Sequence, residues 1–240
     1  MMNDVINYYQ SVVTQINETQ IENIALAAKL TADAFEKGNK IFVTGSGHSH
    51  TFSEELYGRA GGLAFFVPML TSELTLVEHP TKSTFVERLP GYAAILFELY
   101  GCKKDDVILI ASNSGRNAYP VEMALCAKEA GLKVIAVTNV RHSMSTASRH
   151  PSGKRLLELA DVVIDNCGDL GDAAFHLEGV EAAVGPTSSI ANSVIALLYT
   201  VEIARLLQQR GIDAPVFVSA NVDGGFEKNE KYMRQYARLY

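Results

Sequence analysis

The segment from residue 107 to residue 117 constrains the fold of this chain more than any other. Residues 107–111 form an apolar run without alternation, as expected of a strand buried on both faces of a parallel sheet. A polar loop at residues 112–117 follows, and then a helical pattern over residues 118–130 that stops at Gly131. Free N–H groups and the helix dipole favour an anion at such a helix start. We therefore predict that a phosphate ester is held there by Ser112, Ser114, Gly115 and Asn117.

A second segment near the start of the chain has the same layout. Residues 40–44 read as a strand, residues 45–50 as a tight polar turn, and residues 51–59 as a helix. Ligands of open α/β sheets bind at the carboxyl ends of strands where the strand order reverses, so both loops can face one pocket. Gly47 and Ser49 are further candidates for the phosphate, and Ser46 is a candidate for the rest of the ligand. An ordinary strand-to-helix connection is the alternative for either loop alone.

Two other phosphate motifs do not fit these loops. The dinucleotide fingerprint requires a third glycine where this chain has His50, after Gly45 and Gly47. A P-loop requires a lysine and a hydroxyl after its last glycine, and neither loop has that lysine. The pattern argues against a dinucleotide site and against hydrolysis of nucleoside triphosphates.

The two loops together resemble those of the sugar isomerase (SIS) domain family of phosphosugar-binding proteins. Residues 112–117, Ser-Asn-Ser-Gly-Arg-Asn, are similar to the family's Ser-x-Ser-Gly-x-Thr loop, with Asn117 in place of threonine. Residues 45–49, Gly-Ser-Gly-His-Ser, are similar to its Gly-x-Gly-x-Ser loop, and the resemblance extends from about residue 40 to residue 207. It implies an α/β, Rossmann-like, three-layer αβα sandwich with a five-stranded parallel sheet, dimeric assembly, and a phosphosugar held by the serines.

Composition agrees with one domain of this kind. A chain of 240 residues with 48% hydrophobic residues can bury a large core, so we predict a single domain over residues 1–240. The net charge is −6 and the chain has no long basic run, which argues against a nucleic-acid-binding surface. Three cysteines without CxxC spacing argue against disulfides and a zinc knuckle. We see neither a signal peptide nor a membrane-spanning run, and predict a cytoplasmic protein without membrane partners.

The chain begins with a long amphipathic helical pattern. It covers residues 3–36 as a helical extension and ends at Gly38. Such a stripe often packs against a second subunit, so we predict a homodimer whose interface includes it. Further strands are predicted at residues 63–67, 134–138, 162–165 and 216–219, and further helices at residues 89–100, 156–159 and 189–209.

Catalysis requires an acid and a base within reach of the sugar. Glu55 is the first candidate for the base, because residues 55–59, Glu-Leu-Tyr-Gly-Arg, resemble the Glu-Leu-Thr-Gly-Arg stretch of phosphoheptose isomerases, where the glutamate is catalytic. An exposed acidic pair of Glu54 and Glu55 is the alternative. If Glu55 does not carry the proton, Glu54, Glu87 and His48 are the next candidates. Those isomerases also carry a late histidine and often a metal; residues 189–199 contain no histidine, so we predict neither a metal nor another cofactor. His48 is the candidate partner for the base.

A third polar segment precedes the last long apolar helix. Thr187 and Ser188 can cap that helix and offer hydroxyls to a ligand, and the segment resembles the Gly-Ser-Thr of N-acetylmuramic acid 6-phosphate etherases. A simple helix cap is the alternative.

Three functions stay open from the sequence: a sugar-phosphate aldose–ketose isomerase, an etherase-like lyase acting on an amino-sugar phosphate, and a non-catalytic phosphosugar sensor. The polar loop at residues 221–225 is predicted to be a turn before a final helix.

Overall fold

The apolar run at residues 107–111 forms the middle strand of a five-stranded parallel sheet in the computed structural model, which describes residues 2–236. The strands are β1 (Ile41–Gly45), β2 (Phe66–Met69), β3 (Val107–Ala111), β4 (Lys133–Thr138), β5 (Val162–Asp165), β6 (Ala173–Phe175) and β7 (Val184–Pro186). The helices are α1 (Met2–Thr19), α2 (Ile21–Glu36), α3 (His50–Leu56), α4 (Lys82–Val86), α5 (Tyr92–Leu99), α6 (Ala118–Glu129), α7 (Val140–Met144), α8 (Thr187–Gln209) and α9 (Gly225–Tyr236).

The sheet is covered by helices on both faces, which confirms the expected three-layer α/β fold. Its strand order is β2-β1-β3-β4-β5, and every neighbouring pair is parallel. Side chains alternate between the faces along each strand. Val43 and Leu109 pack with α1, α2, α3 and α8, whereas Phe42 and Ile108 pack with α5 and α6. Both faces are therefore apolar, which explains the absence of alternation in the sequence.

Helix α8 is the long core helix of the first layer. Among the described helices it is the one long and apolar enough to cross a membrane by length and composition, whereas the sequence predicted its length but no membrane-spanning run. It packs chiefly against α2, and also against α1 and α3. A buried hydrogen bond between Tyr199 and Thr31 joins α8 to α2. Burial inside the domain is thus a sufficient reason for its apolar composition.

The predicted single helix over residues 3–36 is wrong, because two helices meet at Gln20. The side-chain oxygen of Gln20 accepts hydrogen bonds from the backbone N–H of Asp165, at 3.0 Å, and from Asn23, at 3.2 Å. The inward face of α2, with Ile24 and Ala28, is buried in this chain's own core. Most of the apolar stripe therefore has a partner within the subunit, with Ile6 and Leu26 left exposed, and the dimer prediction loses part of its basis.

Several smaller elements also differ from the sequence expectations. The strand expected at residues 63–67 forms later, as β2, and Leu63 instead makes an isolated antiparallel bridge with Val216. That bridge replaces the strand expected at residues 216–219. The helix expected from residue 89 begins at Tyr92, after Gly91 with a left-handed φ of 84°. Residues 156–158 form one 3-10 turn, and the β6–β7 hairpin was not predicted.

Candidate functional site

The two polar loops meet at the reversal of strand order in the sheet. The chain passes from β1 outward to β2 and then returns to place β3 on the other side of β1, with Gly45 paired to Ala111. The first loop, residues 46–49, follows β1, and the second loop, residues 112–117, follows β3. Both therefore start at the same carboxyl edge, which is the position where ligands of open α/β sheets bind.

Glycines give each loop its tight path. Gly47 and Gly115 have φ angles of 56° and 57°, a left-handed conformation that residues with a side chain rarely adopt. At position 115 an added Cβ would also lie 3.1 Å from the Cβ of Leu156. The second loop consequently depends on glycine both for conformation and for close packing.

The hydroxyl groups of the three serines in the loops differ in the hydrogen bonds that they form. Ser112 Oγ accepts a 3.2 Å hydrogen bond from the backbone N–H of Gly115, which stabilises the loop and leaves the hydroxyl hydrogen available. Ser49 and Ser114 are partly exposed, and within residues 2–236 their hydroxyls form no hydrogen bond. All three side chains can therefore donate to a ligand oxygen at this edge of the sheet.

A carboxylate from outside both loops joins them. Glu87, at the end of α4, accepts a 2.5 Å hydrogen bond from Ser46 Oγ on one carboxylate oxygen and a 2.7 Å hydrogen bond from Asn117 Nδ2 on the other. Its backbone oxygen accepts from Tyr119 N at 2.9 Å, which fixes the segment against α6. Glu87 thus joins the two loops of the candidate site; the sequence offered it only as a reserve candidate after Glu55 and gave no sign of these contacts.

The environment of Glu87 makes its carboxyl group a stronger base than an ordinary glutamate. Burial raises its pKa, and this effect outweighs the hydrogen bonds from Ser46 and Asn117 and the positive charges of Arg88 and Arg149, which act in the opposite direction. A carboxylate with a raised pKa is better matched to proton transfer near neutral pH. The side chain is therefore chemically suited to act as a general base.

Asn117 connects this carboxylate to a cation. Its amide nitrogen donates to Glu87, while its amide oxygen accepts a 2.9 Å hydrogen bond from Arg149 Nη1. An amide offers a donor and an acceptor on two separate atoms, whereas threonine has a single hydroxyl. This dual contact accounts for the asparagine at the position where the family pattern has threonine.

The structure places the residues around α3 closer to the surface. Glu55 is half-buried and forms an ion pair with Arg59, which lies beyond the end of α3. His48 is exposed, and Thr51 donates to its backbone oxygen. His50 is buried, contacts Gly47 O, and lies 3.2 Å from Glu54. Glu55 therefore already has a cationic partner, unlike Glu87, for which no ion pair forms within residues 2–236.

The third predicted segment is occupied by the protein itself. Thr187 is fully buried, accepts from Asp169 N and donates to the backbone oxygen of Asp172, both at 2.9 Å. Ser188 donates its hydroxyl and its backbone N–H to the Asp172 carboxylate, at 2.9 and 2.8 Å. Asp172 thus supplies the anion at the start of α8, which leaves these two hydroxyls less free for a ligand than expected.

Asparagines connect that helix start to the second loop. Asn166, which is buried, donates to Asn113 Oδ1 at 2.7 Å and to Asn192 Oδ1 at 3.3 Å. No local motif singled out these residues, because each lies in a different segment of the chain. Within residues 2–236, no three His, Cys, Asp or Glu side chains are grouped as a metal site would require.

Comparison with known proteins shows the family. Residues 5–139 match the model of the SIS domain. A UPF0309 protein of Halalkalibacterium halodurans is 43% identical over 235 residues, which cover 98% of this chain and 97% of that protein. A second, from Thermoanaerobacter pseudethanolicus, is 40% identical over 242 residues, covering 99% and 98% of the two chains.

Solved structures agree in fold. A phosphoheptose isomerase from Neisseria gonorrhoeae has a TM-score of 0.54 at 18% identity, with 86% of this chain and 97% of that chain covered. The sugar isomerase domain of an RpiR transcription factor from Sphaerobacter thermophilus has a TM-score of 0.52 at 16% identity, with 100% and 99% covered. Because the family model spans more than half of the sequence and the relatives nearly all of it, this chain belongs to the SIS domain family.

Proposed function

We propose that this protein binds a phosphosugar between the two loops and catalyses proton transfer beside the sugar carbonyl, as an aldose–ketose isomerase. The observation that carries the proposal is the Glu87 carboxylate, which contacts Ser46 of the first loop and Asn117 of the second. A base held at the junction of two anion-binding loops is in the position to act on a ligand anchored by those loops.

The serine hydroxyls and the start of α6 supply the phosphate anchor. Ser49, Ser112 and Ser114 lie in the loops at the carboxyl edge, and Asn117 immediately precedes the first residue of α6. Backbone N–H groups at a helix start and uncharged hydroxyls together suit a phosphate dianion. The likeness in fold to a phosphoheptose isomerase is consistent with a phosphorylated sugar as the ligand.

Glu87 is the preferred base, and Glu55 stays as the second candidate. As base, Glu87 removes the proton from the carbon beside the carbonyl and returns it to the neighbouring carbon. Glu55, by contrast, already has a cationic partner in Arg59 and, within residues 2–236, contacts neither loop through a side-chain hydrogen bond. His48 and Ser46 are proposed to contact the sugar rather than the phosphate.

An etherase-like lyase is the second candidate function. The observation that favours it is the same raised pKa of Glu87, caused by burial, because a carboxyl group that holds its proton more tightly can also return that proton to a leaving oxygen. The two reactions share the base and the anchor and differ in whether a carbon–oxygen bond breaks beside the abstracted proton.

Deuterium exchange into phosphosugars tests the proposal. A panel of aldose and ketose phosphates is first screened by thermal shift, and each ligand that binds is then incubated with the enzyme in D₂O and followed by NMR. Deuterium at the carbon beside the carbonyl, with interconversion of aldose and ketose, is the expected result. Loss of a substituent instead identifies the lyase, binding without exchange identifies a sensor, and absence of binding across the panel contradicts the proposal.

We also propose a cytoplasmic homodimer, with the interface moved from the N-terminal helices to α8. The side chains of Ile190, Leu197 and Val201 are exposed although they are apolar, and their spacing of seven and four residues places them on one side of the helix. An exposed apolar strip of this kind is typical of a subunit contact.

A further inference from the structure

Three arginines lie near Glu87 or beside a neighbour of it: Arg88 and Arg149 act on Glu87, and Arg116 lies beside Arg149. Elsewhere among residues 2–236, five arginines are ion-paired with carboxylates, namely Arg59, Arg155, Arg205, Arg210 and Arg234, whereas Arg141 forms no ion pair. Within residues 2–236, Arg88, Arg116 and Arg149 form no ion pair. These three therefore differ from the five paired arginines and, unlike Arg141, they form a group in which the charges of Arg116 and Arg88 act on Arg149.

Two of them are held side by side next to the second loop. The backbone N–H of Arg149 donates to Arg116 O at 2.8 Å, and the Arg149 guanidinium contacts Asn117. Arg116 Nε is buried and has no acceptor. A buried guanidinium N–H without a partner is costly, since it has lost water without gaining a hydrogen bond. The arrangement is therefore incomplete until an acceptor arrives.

The local charge is unbalanced in the same direction. Burial lowers the pKa of Arg149, and the charges of Arg116 and Arg88 lower it further, while Glu87 alone opposes them. Arg88 and Arg149 thus share one carboxylate, and Arg116 adds a third positive charge beside Arg149. Hydroxyls and backbone N–H groups of the loops already suffice to anchor one phosphate, so the arginines supply positive charge beyond that need.

We infer that Arg116 and Arg149 form a subsite for a second anionic group on the bound sugar phosphate, a carboxylate or a second phosphate. This inference rests on the proposed function, because it assumes that the two loops hold the first phosphate. A guanidinium binds either group through paired, charge-assisted hydrogen bonds. The substrate class is then an acidic phosphosugar rather than a neutral sugar monophosphate.

Calorimetry with matched ligands tests the subsite. 6-Phosphogluconate and glucitol 6-phosphate have the same open chain and differ in a carboxylate against a hydroxymethyl group at the far end, and glucitol 1,6-bisphosphate supplies a second phosphate there. A charge-assisted hydrogen bond stabilises by about 1.5–3 kcal/mol. The wild-type protein should therefore bind 6-phosphogluconate or glucitol 1,6-bisphosphate, which have an anionic group at the far end, about ten- to a hundredfold more tightly than glucitol 6-phosphate.

Charge-removing variants then locate the effect. Arg149→Gln and Arg116→Gln should each abolish most of that preference while weakening glucitol 6-phosphate far less. Arg205→Gln removes the same charge from α8, about 27 Å along the helix from its start, and should keep the preference. Ser114→Ala should weaken all the ligands by a similar factor, because it acts on the shared phosphate.

Each contrary result has its own meaning. Equal affinity of the wild-type protein for the three ligands would overturn the second subsite and leave phosphosugar binding standing. An equal loss for all three ligands in Arg149→Gln and Arg116→Gln would also overturn it, since the arginines would then contact the first phosphate. Failure of every ligand to bind would instead contradict the proposed function itself.

Discussion

Glu87→Ala and Glu87→Gln should differ in stability and agree in their loss of catalysis. The two donors to the Glu87 carboxylate, Ser46 and Asn117, are only 7% and 6% exposed. Removing the carboxylate leaves both buried groups unsatisfied, at about 1–3 kcal/mol each. Glu87→Ala should therefore lower the free energy of unfolding by about 2–6 kcal/mol, a large part of the 5–15 kcal/mol typical of a domain.

Glu87→Gln keeps the shape of the side chain and an acceptor oxygen. Its amide can still accept from Asn117, and Ser46 can turn its hydroxyl to accept from the new NH₂ group. The free energy of unfolding should consequently change by less than about 1.5 kcal/mol, the net contribution of a single hydrogen bond. Both substitutions remove the base, so the rate of deuterium exchange should fall by about 10²–10⁴ in each.

Urea unfolding of the two variants measures the stability difference, and NMR of a bound phosphosugar in D₂O measures exchange. Glu55→Gln is the matched control, because it makes the same chemical change in the other candidate glutamate. If Glu87→Gln exchanges at the wild-type rate while Glu55→Gln does not exchange, the assignment of Glu87 as base is refuted. Equal stability of Glu87→Ala and Glu87→Gln would refute the argument from the two buried hydrogen bonds.

Three further predictions follow from particular contacts. Burial raises the pKa of Glu87 in the folded protein, so the folded state holds this proton more tightly than the unfolded state does. The stability of the wild-type protein relative to Glu87→Gln should therefore be constant below about pH 4, fall as the pH rises through the raised pKa, and stay low above it. Urea unfolding at a series of pH values that shows no such trend would contradict the burial argument. Ser114→Ala should weaken phosphosugar binding about ten- to a hundredfold in calorimetry with unchanged thermal stability, whereas the exposed Ser11→Ala on α1 should have no effect; unchanged affinity would remove Ser114 from the phosphate site. Leu197→Glu, at a side chain 52% exposed on α8, should convert a dimer to monomers in light scattering, and a monomeric wild-type protein would contradict the proposed interface.

The sequence by itself determined the sheet and the two loops, because the signals for both are local. A strand buried on both faces must be an apolar run, and residues 107–111 show it directly. The tight loops need glycine at Gly47 and Gly115, where φ is positive, and polar residues follow each strand at once. Loops that follow neighbouring parallel strands necessarily start at one edge, so their meeting was predictable without a structure.

Elements decided by packing were less predictable. The helical pattern over residues 3–36 continues through Gln20, and only the contact of Gln20 with Asp165 divides it into α1 and α2. The hydroxyls of Thr187 and Ser188 were expected to face a ligand, yet Asp172 approaches from the hairpin and occupies them. In both cases the competing partner lies far along the chain or in an element without a sequence signature.

The centre of the candidate site was decided by tertiary structure alone. Glu87 is 41 residues from Ser46 and 30 residues from Asn117, and no spacing rule connects them. The segment after β2 folds back over the first loop, where Leu74 O accepts from Gly47 N, and so carries the carboxylate to both loops. The same folding buries Glu87, which raises its pKa, and brings it among the arginines. Local sequence shows that an acidic residue is present, but its basicity depends on burial and on neighbours that only the folded chain supplies.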